Sequence, residues 1–548
     1  MIAIAILFLV PILLVGSAAL IHATGYLHGD GKKRQGWFYF YMIGTLVSMC
    51  AVVGSTFLGD KVMTMLAFIL AWESMGLFSS GLVGFESESK ESKKATWIYL
   101  LSCHAGAVFL ILAGAFSFRP EVSQVVIFFL LLCGFGLKIG FPPFHVWLPE
   151  AHPAAPAPAS AVMSGAMIPL GFFGLVFWTG VTCETKVIAP YFAWSMLILG
   201  SLAALGGILF ALPQRNIKKL LAFSSVENMG VIALGLGLAA FTYTQGDLLT
   251  LDGKASVVDG IFTLAALGAA LHIVNHAFLK GGLFLGAGSV LRMTGTLDAD
   301  KLGGLMKKMP WTGTLFTLNA FGLAALPPLP AFLSELCIYI AAIYALSQGV
   351  LVIPAAIILI VMSLTGGIAA ATYAKIVSAT FLGEARGDQS EIKETPKSMI
   401  AAQLILFIPV AIMLIPALLM IAPLWLFRRF LCPRGNTKPR QLTWDCGYEA
   451  PTARMAWTGT AFSQPLADTF KAVLRPRTHV KSTKDIFPKE EAIATETDDI
   501  VLARGWNPVF HLSARAMQLF HLFQSGSLHF YVLVMILAIA ALLIWGAF

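Results

Sequence analysis

The sequence predicts an all-α polytopic membrane protein with about 13 transmembrane helices. Three observations carry that expectation. Of 548 residues, 57% are hydrophobic and only 12% charged, against about 25% charged in an ordinary soluble domain. Mean hydropathy is +0.80. Apolar runs of spanning length recur near 2–22, 36–58, 62–84, 96–116, 123–147, 157–179, 188–212, 217–241, 260–290, 312–345, 350–382, 400–427 and 527–547.

The first run has no basic segment before it and is long enough to cross a bilayer, so it reads as a retained helix rather than a cleaved signal. Residues 1–35 form this helix and its loop, 36–180 a first half and 188–383 a second. Region 400–430 is a membrane helix or a tight hairpin marked by Pro409, Pro416 and Pro423; 431–526 is polar, and 527–548 is an anchoring helix. The loops after runs 1, 3, 7, 9 and 11 hold sixteen Lys and Arg, among them Lys32, Lys93, Arg215, Arg292 and Arg386, whereas the opposite loops hold only Lys61, Arg119, Lys186 and Lys254. That asymmetry puts the basic loops in the cytoplasm and the N-terminus outside. With 13 helices the basic 431–526 segment also falls outside, in conflict with its charge, although long segments obey the rule poorly.

The formal net charge of +8 belongs to these short loops rather than to one basic face, so it is topogenic and implies no nucleic-acid partner. Seven cysteines are scattered without CxxC or metal-ligand spacing, so no metal or iron–sulfur centre is expected in the chain. No Walker loop, GxGxxG unit, HExxH or nucleophile elbow is present, and no catalytic residue is assigned.

Two runs are interrupted alike. FGLKIGFPPF (135–144) and FGLAALPPLPAF (321–332) share Phe-Gly-Leu followed by a Pro-Pro pair. They stand five runs apart, an odd number, so they cross in opposite directions. Paired Pro-interrupted spans in an inverted repeat point to an ion or substrate site near the membrane midplane.

Ionisable residues inside spans are the next signal, since each costs about 2.5–3.5 kcal/mol at a helix centre. Glu73 sits in LAWESMGLFSSG, Lys138 just before the first break, and Glu335 after the second. In LHIVNHAFLKGGLFLG, His272, His276 and Lys280 recur every four residues, within roughly 80° of one helix face and along about 12 Å of its axis. Glu73 is placed to pair with Lys138. Burial opposes a lysine's charge and a neighbouring carboxylate supports it, so a Lys with a movable Glu is a switchable proton carrier, and histidine suits a relay between such sites. The bland alternatives are structural ion pairs between helices for the Glu and Lys residues, a hydrogen-bonded helix contact for His104, and an interface bond for Glu227. Lys218 and Lys219, at a helix start, read as cytoplasmic anchors, with Lys218 kept as a secondary candidate; Lys375, late in its span, reads as snorkelling to the surface.

LAWESMGLFSSGLVGF, GLKIGFPPFHVWLPEAHPAAPAPASAVMSG, NIKKLLAFSSVENMG, LHIVNHAFLKGGLFLGAGSV and LPPLPAFLSE together resemble the antiporter-like, proton-conducting subunits of respiratory complex I, Mrp-type antiporters and membrane-bound hydrogenases. SSVENMG, TWDCGYEAPTARM and TAFSQPL look most like the hydrogenase-4 component B and formate hydrogenlyase subunit 3 branch. The resemblance implies two inverted five-helix repeats, each with a broken helix. It implies a glutamate–lysine pair at Glu73 and Lys138, connecting histidines at His272 and His276, a central Lys280, a terminal Glu335 and a role for Lys375 in the exit path. It also implies other membrane subunits and a peripheral hydrogenase arm, or a formate dehydrogenase one, carrying iron–sulfur clusters and a nickel–iron site, with no cofactor in this chain. The expected setting is the inner membrane and the ion H⁺, with Na⁺ as the alternative. Two departures stand out. The family's first two helices have no counterpart here, and Ser164 stands where some members place a relay histidine. The resulting reading is a proton-translocating subunit of a group 4 hydrogenase-type complex; the alternatives are a structural anchor with a vestigial channel and an Mrp-like Na⁺/H⁺ antiporter subunit.

Overall fold

The computed structural model describes residues 2–86, 89–251, 255–386, 389–412, 457–481 and 492–520. Among the described residues, eleven helices are long and apolar enough to cross a membrane, and they fall on the first eleven expected runs. α1 (Ile2–Tyr26), α2 (Lys32–Ser55), α3 (Lys61–Val83) and α4 (Lys90–Phe116) are continuous. The fifth and sixth runs divide into α5 (Gln124–Ile139), α6 (Leu148–Ala154), α7 (Ala157–Val162) and α8 (Leu170–Thr182). α9 (Thr185–Ala211), α10 (Ile217–Leu251) and α11 (Ala255–Thr294) follow, then α12 (Pro310–Leu323) and α13 (Pro330–Ser347) in the tenth run and α14 (Val352–Phe381) in the eleventh. α15 (Lys397–Ile412) covers the start of the twelfth. The remainder of 400–430 and the anchoring helix expected at 527–548 lie outside the described residues.

Both expected interruptions are present. α5 stops where Gly140 takes a φ of +80°, a left-handed conformation that favours glycine. Its N–H returns to the Gly136 carbonyl at 2.9 Å, and the Trp147 indole donates to the Leu137 carbonyl at 2.8 Å, satisfying a group that the helix end leaves open. α12 ends at Leu323, and Pro330 opens α13, a first-turn position where the missing N–H costs nothing. The Pro142–Pro143 and Pro327–Pro328 bonds are both cis.

The polar segment adds a small departure from the all-helical expectation. After α16 (Gly459–Thr469) and α17 (Lys471–Leu474), β1 (Arg477–Lys481) pairs antiparallel with β2 (Ala492–Glu496). α16 starts on an acidic anchor: the Thr460 N–H donates to Asp300 at 3.0 Å, the Thr460 hydroxyl donates to the same carboxylate, and Arg215 pairs with both Asp298 and Asp300. Residues 498–520 belong to a second compact unit, in which a turn at Val501–Trp506 leads into α18 (Asn507–Phe520).

α9 and α10 meet backbone to backbone, which places the polar residues of α10 at the centre of the bundle. A Cβ on Gly207 would lie 2.4 Å from the Glu227 nitrogen, and one on Gly230 would lie 2.3 Å from the Ala204 nitrogen. Backbone cannot retreat as a side chain can, so Gly230→Val is expected to destabilise the fold by about 1–3 kcal/mol or more. Gly206→Val, on the open face of α9 with no atom within 4 Å, is expected to leave the thermal unfolding midpoint in detergent unchanged.

Candidate functional site: a buried polar axis

Lys280 lies midway along α11 and is fully buried. Its ammonium donates to the Leu221 carbonyl at 3.0 Å, to the Ser224 hydroxyl and to the Tyr373 hydroxyl at 3.4 Å, and it sits 5.8 Å from the centre of the Tyr373 ring. Three donors thus meet three acceptors, the condition for keeping an ammonium out of water. Glu227, one turn along α10 from Ser224 and also buried, is the carboxylate within electrostatic reach of Lys280. Its side chain accepts from Asn228. Glu227 therefore has a central place rather than a peripheral one at a helix interface.

From there the polar contacts continue. Asn228 Oδ1 meets His272 Nε2 at 3.1 Å, and His272 Nδ1 meets the Ser334 hydroxyl at 3.0 Å. Ser334 also accepts from Asn275 at 3.3 Å and directly precedes Glu335, which is buried. The link between Lys280 and His272 thus runs through Ser224 and Asn228 of α10 rather than up the face of α11. His276 lies on that face, fully buried, with neither ring nitrogen hydrogen-bonded.

The first half is arranged differently from the expected Glu73–Lys138 pair. Glu73 binds His104 Nδ1 at 2.8 Å. Lys138 donates instead to the Tyr99 hydroxyl at 3.0 Å and to Cys103 Sγ at 3.4 Å, with the Tyr99 ring 5.1 Å away. Each charged group is thus partnered by α4, Glu73 by His104 and Lys138 by Tyr99 and Cys103, although α3 and α5 also touch directly where Trp72 packs on Phe135 at 5.2 Å. Tyr99 passes the network on to Ser79 at 2.6 Å. Beside Lys138 lies a cavity of about 10 Å³ lined by Trp72, Ser102 and Cys103 among others, close to the space one water needs. The Glu73 and His104 side chains are 26% and 46% exposed, so this end of the axis opens on the outer face of the bundle.

Two residues lie between Lys138 and Lys280 in the chain and pack against α10 and α11. Ser164, in a wide turn at Met163–Met167, bonds Ser225 of α10 at 2.8 Å. His152, on α6, is fully buried and stacks on Phe284 at 4.9 Å. Neither of its ring nitrogens has a hydrogen-bond partner, and it lies within electrostatic reach of Lys218, Lys280 and His276.

Two lysines depart from their expected surface positions. Lys218 is buried and donates to the carbonyls of Pro153, at 3.3 Å, and Ala155. Lys375 is buried and donates to the carbonyls of Leu212 and Gln214 at 2.6 and 2.8 Å. Each caps a helix C-terminus, α6 and α9 respectively, where unpaired carbonyls and the helix dipole favour a cation. Neither anchors in, nor snorkels to, the surface.

Sequence reasoning missed His152, Tyr99, Tyr373 and Asn228. His152 had a signal in PEAHPAAP, a histidine held between two prolines; a tyrosine within an apolar helix has none that separates it from packing. Among the described residues, no group of three or more His, Cys, Asp or Glu is placed to hold a metal ion.

The family model described as NADH:quinone oxidoreductase/Mrp antiporter, TM matches residues 63–267 and 255–363. The chain belongs to this antiporter-like membrane subunit family. It is 31% identical to hydrogenase-4 component B of Escherichia coli strain K12 over 94% of this chain and 84% of that one. Formate hydrogenlyase subunit 3 of the same organism is 30% identical over 64% of this chain and 61% of its own, and a Na(+)/H(+) antiporter subunit of Bacillus subtilis strain 168 is 31% identical over 58% and 39%. A chain in the structure of the membrane-bound sulfane sulfur reductase, an archaeal respiratory membrane complex, shares the fold: the TM-score is 0.73 at 20% identity, over 98% of this chain and 88% of that one.

The two capping lysines yield a structural prediction. Lys218→Met leaves the Pro153 and Ala155 carbonyls buried and unpaired, a loss of about 1–3 kcal/mol, and is expected to lower the thermal unfolding midpoint, whereas Lys219→Met, at a half-buried neighbour, leaves it unchanged.

Proposed function

We propose that the chain is the ion-translocating subunit of a membrane-bound redox complex of the group 4 hydrogenase or formate hydrogenlyase type, and that the ion is H⁺. The observation that carries this is the run of buried polar contacts in which Lys280 donates to the Ser224 hydroxyl, Asn228 donates to the Ser224 carbonyl and meets His272, and His272 meets Ser334, the residue before Glu335. A protonated lysine offers donors only and no lone pair to a metal cation, which favours H⁺ over Na⁺ at the central position. The relatives named for hydrogenase-4 and formate hydrogenlyase support the hydrogenase reading over the Mrp-like one.

In this mechanism Glu227 holds a proton on Lys280 by its charge, and loss of that charge, by protonation or by movement of the side chain, releases the proton. Ser224, Asn228 and His272 then provide donors and acceptors toward Glu335. In the first half the proton passes from Glu73 and His104 to Lys138 through Cys103 or the adjoining water-sized cavity, and Ser164, Ser225 and His152 bridge the halves. The two interrupted spans act as corresponding parts of residues 36–180 and 188–383. The half-exposed Glu73–His104 pair is costly against lipid, which supports a neighbouring membrane subunit there. Iron–sulfur and nickel–iron chemistry belongs to partner subunits, and the basic loops face the cytoplasm.

The test uses the assembled complex in sealed vesicles. Lys280→Ala and Lys138→Ala are each expected to lower proton translocation at least tenfold while redox turnover continues, and replacing Na⁺ with K⁺ is expected to change nothing. Unchanged pumping at unchanged turnover in both variants overturns the proposal.

A further inference from the structure

The glycines of LKGGLFLGAGSV leave a second polar feature on α11, away from Lys280. Asn275, Gly282, Gly286 and Ser289 fall within about 60° of one face, with Lys280 about 140° from Asn275. Three other helices fill the room that these small residues leave. A Cβ on Gly282 would lie 2.4 Å from Asn319 Nδ2 of α12, and one on Gly286 would lie 2.8 Å from Phe316 Cδ2 of α12 and 3.4 Å from Gln403 Oε1 of α15. Ser289 accepts from Gln403 at 3.1 Å and meets His22 Nε2 of α1 at 3.4 Å.

Asn275, Asn319, Gln403 and His22 are all buried. Yet Asn275 Oδ1, Asn319 Oδ1, Asn319 Nδ2 and Gln403 Oε1 have no hydrogen-bond partner. Buried amides are costly unless satisfied, and where side chains do not satisfy them, internal water does. Three of these atoms, on Asn319 and Gln403, lie beside the glycine face and the fourth belongs to Asn275 on the same face of α11, a grouping that points to bound water rather than to independent packing faults. The strip has two defined ends. Asn275 bonds Ser334, next to Glu335, and His22 lies one turn before Tyr26, at the end of α1 that leads into a basic loop. Between Asn275 and Gly282, buried Leu279 occupies the same face and packs on Gly322, an apolar constriction of the kind that gates by dewetting.

We propose that this strip is a water-bearing second path, running from the Ser334–Glu335 end of the axis to the basic-loop face between α11, α12, α15 and α1, with Leu279 as its constriction. Its ligand is water. Its conducting role rests on the proton-translocation reading; its hydration does not.

X-ray radiolytic footprinting of the purified complex tests the hydration directly, because radicals formed from bound water label buried neighbours. Met399, whose carbonyl accepts from Gln403 and whose thioether lies against α1 three residues past His22, 3.2 Å from a Cβ built on Gly25, is expected to be oxidised at least tenfold faster than the equally buried Met362 of an apolar cluster. Equal slow rates overturn the proposal, whether or not the complex moves protons. In an Asn319→Leu, Gln403→Leu double variant, Met399 labelling is expected to fall to the Met362 level and proton translocation per redox turnover to fall severalfold. Lost labelling with undiminished translocation overturns the conducting role. If that variant does not assemble, labelling of the unaltered complex still decides the hydration.

Discussion

A lysine ammonium held at the centre of a membrane bundle is the constraint on which the rest of this structure depends. Lys280 has exchanged water for the Leu221 carbonyl, the Ser224 and Tyr373 hydroxyls and the nearby carboxyl group of Glu227. Three of those four partners lie on α10, which must therefore pass close to α11 with its polar face inward. The backbone contacts of α9 with α10 at Gly207 and Gly230 hold it there, and Ser164 reaches it from the first half.

Lys138 and Lys280 are buried with related parts. Lys138 meets Tyr99 as Lys280 meets Tyr373, each ammonium in contact with the tyrosine hydroxyl. The difference lies in the carboxylate. Glu227 approaches its lysine within the bundle, whereas Glu73 turns to His104 on an exposed face. At the basic-loop end, Lys218 and Lys375 each close a helix C-terminus, and α16 closes over Asp300 beside Lys375, with Gly459 so near that a Cβ would lie 2.9 Å from Asp300 Oδ1 and 3.3 Å from Lys375 Cε.

Much of the fold was legible because lipid imposes one rule on every span: long apolar runs, with proline pairs where a helix must stop. Charged residues within those runs were legible for the same reason, and Lys138, Lys280 and Glu335 are all buried in the bundle. Pairing was not legible. Glu73 and Lys138 suit each other in charge, but α4 offers His104 to one and Tyr99 and Cys103 to the other, a matter of helix rotation that no local pattern states. Lys218 and Lys375 misled because a basic residue near a span end normally reaches water; here that water is replaced by helix ends that fold back into the protein. Asn319 and Gln403 lay in apolar runs without a motif, and only the glycines opposite them make sense of their position.

The most direct test of the central claim is a double-mutant cycle on proton flux in vesicles holding the assembled complex, with Glu227→Gln, Lys280→Met and the pair together. Groups that work as one unit lose function once, so the double variant is expected to carry the same residual flux as the Lys280→Met variant alone. Losses that multiply, each substitution lowering flux by its own factor in the presence of the other, would contradict a proton held jointly by Lys280 and Glu227.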